Sequence, residues 1–409
     1  MLARRMCIKG MCLVAGFLAP AAFAATYGSI IPGQGHWGGQ NALQVIAQGS
    51  DGYAYVPVWQ DSAGNWNAGT VIPGQTAAVG SLSASQGYGS YLQVLGVRTS
   101  DSQPQLVGYQ DTNGNWQTGG TLPSDGTPLR QVVAATGGCS SAPLQVIGLG
   151  TDFYPRVIAY QDNAGAWHAS GQVLETTYKL STITVGYGNQ GNLQVYGLSD
   201  DPTYPSAGVF AGFQDRSSCS WTGGAGLLNV YFRYHDLVQV NGNDGNLQVL
   251  GLPISVAPPF SRTSFAPYVA TWQDSDGNWS PGPPGPVASN FSPVLASFAA
   301  AQGNGGNLQV WGLGTDALPH MVAWQDSSGT WHNVGSLPQY NTSLSDLIMG
   351  HGNGGNIEVI GLGTNQHIAL ISVQDSGGNW SAGEDLTTLV SKGSGGGGGG
   401  VGGGGCPRC

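Results

Sequence analysis

Seven copies of one sheet-forming unit, recurring about every fifty residues, predict an all-β chain: a seven-bladed β-propeller with four antiparallel strands per blade. Three observations carry this reading. The pair Gln-Asp recurs at Gln60-Asp61, Gln110-Asp111, Gln161-Asp162, Gln214-Asp215, Gln273-Asp274, Gln325-Asp326 and Gln374-Asp375, with spacings of 50, 51, 53, 59, 52 and 49 residues. A tryptophan follows each pair within a few residues, at Trp66, Trp116, Trp167, Trp221, Trp279, Trp331 and Trp380. Upstream of each pair lies a second marker, clearest as GNLQVYGL, GNLQVLGL, GNLQVWGLG and GNIEVIGLG in the last four copies.

The sixth copy divides into four runs, VLASFAAA, NLQVWGLG, HMVAWQD and TWHNVGSL. Each is short, rich in aromatic and β-branched residues, and bounded by Gly, Asn, Asp or Ser, which is the punctuation of strands. The linkers GNGG at Gly303 to Gly306 and Ser327-Ser328-Gly329 supply the positive-φ positions that tight hairpins need, and Asp326 can accept backbone hydrogen bonds at the turn entry. One such sheet cannot bury both faces alone; seven stacked around an axis bury them on one another. An open β-solenoid or two β-sandwiches are the other architectures such strands could build. Solenoids repeat over shorter lengths, and sandwiches would not repeat seven times.

Three regions are expected: a signal peptide at 1–24, the propeller at 25–390, and a Gly-rich tail at 391–409. Arg4, Arg5 and Lys9 precede an apolar run from Met11 to Ala22 and the small-residue pattern Ala22-Phe23-Ala24, which reads as a cleavable export signal. The run is shorter than the roughly 20 residues of a spanning helix, so no membrane insertion is expected. Cleavage would remove three positive charges and move the formal charge from -10 to -13. An acidic chain without a Lys/Arg cluster does not neutralise phosphates, which argues against nucleic acid. With charged residues at 8%, the surface works mainly through neutral hydrogen bonds, which suit sugars. The tail GSGGGGGGVGGGGCPRC reads as a flexible tether, whose Cys406 and Cys409 can form a small loop or a crosslink. Cys139 and Cys219 fall in hairpin turns that should open on the same face of neighbouring blades, so a disulfide is open to them, although one turn is inner and the other outer.

Chemistry beyond binding finds little support. The repeated Asp residues, including the calcium-loop-like Asp274-Ser275-Asp276-Gly277-Asn278, lack the remaining ligands in the other copies and read as turn formers, so no metal or other cofactor is expected. Their Asp, Gly, Trp frame differs from the sialidase Asp-box. Glycosidase chemistry needs two carboxyl groups at a set separation; Glu175, Glu358 and Glu384 are the only glutamates, and Glu358 merely replaces the repeated Gln. No catalytic residue is therefore assigned. The seven histidines show no metal-ligand spacing, and His168 and His332, each following a repeated Trp, read as exposed strand positions or as donors at a pocket rim. The Trp of every copy is a packing residue on the simplest reading and a sugar-stacking platform on the other. Trp59, Trp272 and Trp324 share a position filled elsewhere by Tyr109, Tyr160, Phe213 and Val373, so pockets are expected to differ between blades.

The unit GNLQVWGLGTDALPHMVAWQDSSGTWHNVGSLP resembles the blade repeat of the PLL-like bacterial seven-bladed propeller lectins, over about residues 27 to 390. The likeness lies in blade count, the Leu-Gln/Glu-Val strand, the Gly-Thr-Asp turn of Asp152 and Asp316, and the Trp-Gln strand of three copies. Family blades carry Trp-His after that turn, where this chain has Phe153-Tyr154-Pro155 or Leu318-Pro319-His320, and Thr after Trp-Gln, where it has Asp. The resemblance implies a secreted, non-enzymatic, multivalent lectin for fucose-like saccharides, with glycans or glycoconjugates as partners and homo-oligomerisation left open. The candidate sugar-contacting residues are Trp59, Trp66, Trp116, Trp167, Trp272, Trp279, Trp324, Trp331 and Trp380, with Asp152 and Asp316. The alternatives are a protein-interaction or surface-structure propeller and, less favoured, a glycoside hydrolase.

Overall fold

The computed structural model describes residues 26–387 except 38–39, 138, 140–143, 175–176, 189–190, 229–231, 243–245, 257–265, 275 and 283–285. The segment expected to be a signal peptide, with Cys7 and Cys12, and the Gly-rich tail, with Cys406 and Cys409, lie outside the described residues.

Twenty-eight strands form seven four-stranded antiparallel sheets, each built from four consecutive strands. The blades run Tyr27–Val71, Val79–Thr121, Leu129–Val173, Leu180–Leu227, Phe232–Pro281, Leu295–Asn333 and Leu344–Ala382, and their strands are termed a to d from the axis outward. The a strands of consecutive blades touch all the way round, and blade 7 returns to blade 1. The ring is a closed seven-bladed propeller, as the repeat count requires. In every blade the pairing of strands b and c shifts register once, as at Val146/Ile147 in blade 3. Such bulges raise local twist, and their recurrence gives all seven blades the same pitch.

The apolar core is divided among seven clusters, one between each pair of neighbouring blades. Strand b supplies the most deeply buried residues, such as Leu43, Val45, Leu144, Val146, Leu308 and Val310, all fully buried. Both sheet faces there are covered, so the b strands read as nearly continuous apolar runs.

A second ring, of hydrogen bonds, closes the inner strands. A side chain near the end of each a strand donates to, or bonds with, a backbone carbonyl on the preceding blade: Gln34 to His351, Gln86 to Gln34, Thr136 to Gln86, Tyr187 to Thr136, Asn241 to Tyr187, Gln302 to Gly242 and His351 to Gln302, at 2.5–3.3 Å. The circuit contains every blade once. It supplies the lateral polar contacts that strand pairing cannot, because no sheet spans two blades.

The Gly-Asn-Gly-Gly hairpin behaves as expected, with Gly305 and Gly306 at φ 70 and 78. The fourth strand of blade 6 does not. The run TWHNVGSL forms a strand only over Trp331–Asn333, and the chain then crosses to blade 7, where the Tyr340 N–H donates to the Ile371 carbonyl at 2.8 Å. Gly335 and Pro338 in this stretch disfavour continued pairing.

Candidate functional site

In an antiparallel blade the a–b and c–d turns open at one end of the propeller, and the b–c turns open at the other. The Gln-Asp pair closes strand c at the first of these ends, and the repeated Trp opens strand d. In blade 3, Gln161 lies opposite Trp167, and Tyr160 lies opposite His168. Side chains alternate across a strand, so Gln161 and Trp167 face blade 2 while Tyr160 and His168 face blade 4. Every interblade seam is thereby walled by an aromatic or apolar strand c residue of one blade and the Trp of the next.

At two seams this arrangement leaves open clefts. Between blades 2 and 3 a cleft of about 480 Å³ is lined by Tyr88, Tyr91, Tyr109 and Trp167, with Gln93 and Gln161 among its polar residues. Tyr88 and Tyr109 are 45% and 37% exposed, so ring faces are presented to solvent. Between blades 3 and 4 the equivalent cleft, about 270 Å³, brings Tyr160 and Trp221 together with Gln145, Ser170, Gln172 and Gln214. Trp59 with Trp116, Trp272 with Trp331 and Trp324 with Trp380 pack pairwise onto the apolar clusters of their seams, and Trp167 and Trp221 also pack onto theirs. Both clefts have tyrosine at the strand c position, Tyr109 in one and Tyr160 in the other.

The seven repeated tryptophans lie between blades. Trp66 is buried and the other six are half-buried, which combines packing with partial access. The most deeply buried indole belongs to Trp311 of strand b, outside the repeated set and fully buried. Asp152 and Asp316, expected beside the tryptophans, sit at the opposite end of the propeller. Asp152 pairs with Arg156 at 2.5 Å, and Asp316 lies 3.2 Å from the His320 ring. Strand length separates them from the indoles, because the Gly-Thr-Asp turn joins b to c and the Trp follows the turn from c to d. His320 instead lines a separate cleft of about 380 Å³ beside the truncated strand d of blade 6.

The repeated Asp residues build turns. Asp162 Oδ1 accepts from Ala164 and Ala166 N–H, and Asp274 Oδ1 from Asp276 and Asn278 N–H, each at 2.8–2.9 Å. All seven are held below the usual carboxylate range. At Asp162 and Asp326 the largest cause is the ring of His168 or His332, whose Nε2 meets Oδ2. Those rings also stack on the strand c aromatics, His168 on Tyr160 at 5.0 Å and His332 on Trp324 at 4.4 Å between centroids. The histidines therefore orient the aromatic wall of a seam while tying it to the turn.

The glutamines were the residues sequence reasoning missed. Both repeated positions, in strand b and at the end of strand c, are buried in every blade. Across a seam the two amides meet: Gln93 with Gln161 at 2.7 Å, Gln194 with Gln273 at 3.2 Å and Gln248 with Gln325 at 2.7 Å. Gln161 also accepts the Tyr88 N–H at 2.8 Å and donates to the Gly165 carbonyl at 3.1 Å. One amide thus joins two hairpins and two blades. Gln161→Leu strands these buried partners and is expected to cost about 2–3 kcal/mol in urea denaturation; a cost below about 1 kcal/mol would show that water replaces the amide. Repetition of a polar residue inside an otherwise apolar strand was the available signal.

Cys139 and Cys219 are joined as a disulfide, with Cα atoms 5.2 Å apart. The a–b turn of one blade lies over the c–d turn of the next, as the Tyr88–Gln161 contact shows at the neighbouring seam, so the radial offset is absorbed by that overlap.

Neither a scan against protein-family models nor a search of curated proteins finds a match to this chain. Among solved structures, a variant of AofleA from Arthrobotrys oligospora is similar at 11% identity, with 90% of this chain and 89% of that one covered and a TM-score of 0.48. The Aleuria aurantia lectin, described as a six-bladed propeller with a fucose recognition mode, is similar at 14% identity, with 87% and 96% covered and a TM-score of 0.45. An α-L-arabinanase of Penicillium chrysogenum with arabinobiose is similar at 15% identity, with 73% and 93% covered and a TM-score of 0.45.

Proposed function

We propose that this chain is an exported, non-enzymatic carbohydrate-binding propeller whose saccharide sites are interblade clefts, among them those between blades 2 and 3 and between blades 3 and 4. The observation that carries this reading is the cleft walled by Tyr88, Tyr109 and Trp167 over buried amides. A pyranose has one apolar face and a rim of hydroxyls. Aromatic faces cover the former without charge, and glutamine, serine and threonine satisfy the latter in either direction of hydrogen bonding. The repeated Asp carboxylates at this end of the propeller are engaged in their own turns, which suits recognition rather than proton transfer. Two clefts on one rigid disc would bind displayed glycans with an avidity above that of either alone. Fucose-like sugars are the first class to test.

The test is a glycan array followed by titration calorimetry on the best ligand. Tyr109→Ala with Tyr160→Ala, which removes a strand c ring from the wall of each cleft, should weaken binding about tenfold or more in a variant that still melts cooperatively, since stacking contributes on the order of 1 kcal/mol per ring beyond buried area. An array without signal for the parent protein would end the proposal, as would a double variant that binds normally.

A further inference from the structure

We propose that the seam between blades 7 and 1 is a pH-sensitive clasp, held shut by the neutral carboxyl of Glu358 where the other six blades carry a glutamine, and loosened when that carboxyl ionises. Glu358 occupies the strand b position filled by Gln44, Gln93, Gln145, Gln194, Gln248 and Gln309 in blades 1 to 6. Its side chain is 3% exposed. Oε1 accepts from Gln60 Nε2 of blade 1, while Oε2 is buried without a hydrogen bond. Gln60 Oε1 accepts the Asn353 N–H at 2.7 Å, the counterpart of the Tyr88 N–H on Gln161 Oε1 at the seam between blades 2 and 3.

At three of the other six seams the strand b amide donates its Nε2 hydrogen to the Oε1 of its partner. Only the protonated carboxyl can copy that donor. The carboxylate has none: it keeps the Gln60 Nε2 donor at Oε1, but it would bury its charge at 3% exposure with Oε2 unpartnered. Burial pushes the carboxyl up to about 7, against the opposing pull of the Gln60 amide.

The other titratable groups packed around the seam are accounted for. Asp61 is bound into its own hairpin by the Ala63 and Asn65 N–H groups. The His351 ring bonds to the Gln302 carbonyl on the side of blade 6. Asp346, in strand a of blade 7, accepts the Ile30 N–H at 2.9 Å, and burial raises its carboxyl too. His367 and Asp385 pair with each other at the opposite end of the blade.

The position of the carboxyl gives it leverage. Every other pair of neighbouring blades is joined by continuous chain, whereas among the described residues blades 7 and 1 meet through side-chain hydrogen bonds and packing. This is the seam at which the ring can part without moving a peptide link. Because the carboxyl titrates higher in the folded ring than in the open chain, its stabilising effect is complete below about pH 4.5 and falls as pH rises through about 7, by up to tenfold in the closed-to-open ratio per pH unit.

The experiment is hydrogen exchange on the full chain, comparing the amides of Asn353 and Tyr88 after correction for intrinsic rates. Between pH 5.5 and 8 the protection of Asn353 should drop about tenfold or more while that of Tyr88 holds. In Glu358→Gln the drop should vanish, and Gln93→Glu should transfer it to Tyr88. A drop shared equally by both amides, or one that persists in Glu358→Gln, would overturn the proposal. Should Glu358→Gln fail to fold, Gln93→Glu decides alone: a Tyr88 amide indifferent to pH refutes the clasp.

Discussion

Trp311→Ala is expected to destabilise the protein by about 3–5 kcal/mol, the range for truncating a fully buried aromatic residue in a core that relaxes incompletely. The indole is completely buried in strand b of blade 6. It packs against Trp380 of blade 7 at 5.3 Å between centroids and belongs to the cluster containing Leu344, Leu347, Ile357 and Val359. Leu95, Ile147 and Leu250 fill the same place in other blades, and Tyr196 fills it in blade 4, against Trp279 at 5.7 Å. The shift is read from urea midpoints at constant slope. Trp331→Ala, at a half-buried indole, should cost less under the same conditions. Equal costs would mean that burial of the strand b residue does not set seam stability.

Removal of the disulfide by Cys139→Ser with Cys219→Ser is expected to cost about 4 kcal/mol. The bridge closes a loop with a sequence separation of 80 residues, and chain-entropy arguments give about that value for a loop of this length. It also joins blades 3 and 4 beside a proposed cleft, which Cys219 itself lines. Thermal melts with and without reductant check the effect: the parent protein should lose stability on reduction, while the double serine variant should be insensitive. Calorimetry on the variant gives a second outcome, weakened binding at the cleft of Tyr160 and Trp221 with the cleft of Tyr109 unaffected. An unchanged melting temperature in the variant would show that packing alone holds this seam.

Much of the architecture was legible in the sequence. Blade number followed from counting Gln-Asp pairs, and strand order from four apolar runs per unit, because one sheet that cannot bury both faces leaves few solutions once it is repeated. The role of Asp326 was legible for a similar reason: a short carboxylate side chain before a positive-φ glycine reaches the N–H groups of its own turn, and needs nothing distant. The truncated fourth strand of blade 6 was less so. Its residues have strand character, but Gly335 and Pro338 weaken pairing, and the Tyr340 contact to blade 7 decides where the chain goes.

The grouping of residues at the seams was not legible in the same way. Trp167 and Tyr109 lie 58 positions apart by number and form one wall only because neighbouring sheets stack face to face. Asp152 and Asp316 looked like partners of the tryptophans and lie at the other end of the propeller, since strand direction reverses between the Gly-Thr-Asp turn and the indole. The sequence by itself determined the fold class, the blade count and the turn chemistry, all of which depend on contacts within one unit. Only the tertiary structure decided which aromatic residues share a cleft, why fourteen positions hold buried glutamine or its one carboxyl relative, and why the Glu358 seam differs from the rest. Those properties arise between blades, where each group is judged by a partner that strand stacking, rather than chain proximity, brings to it.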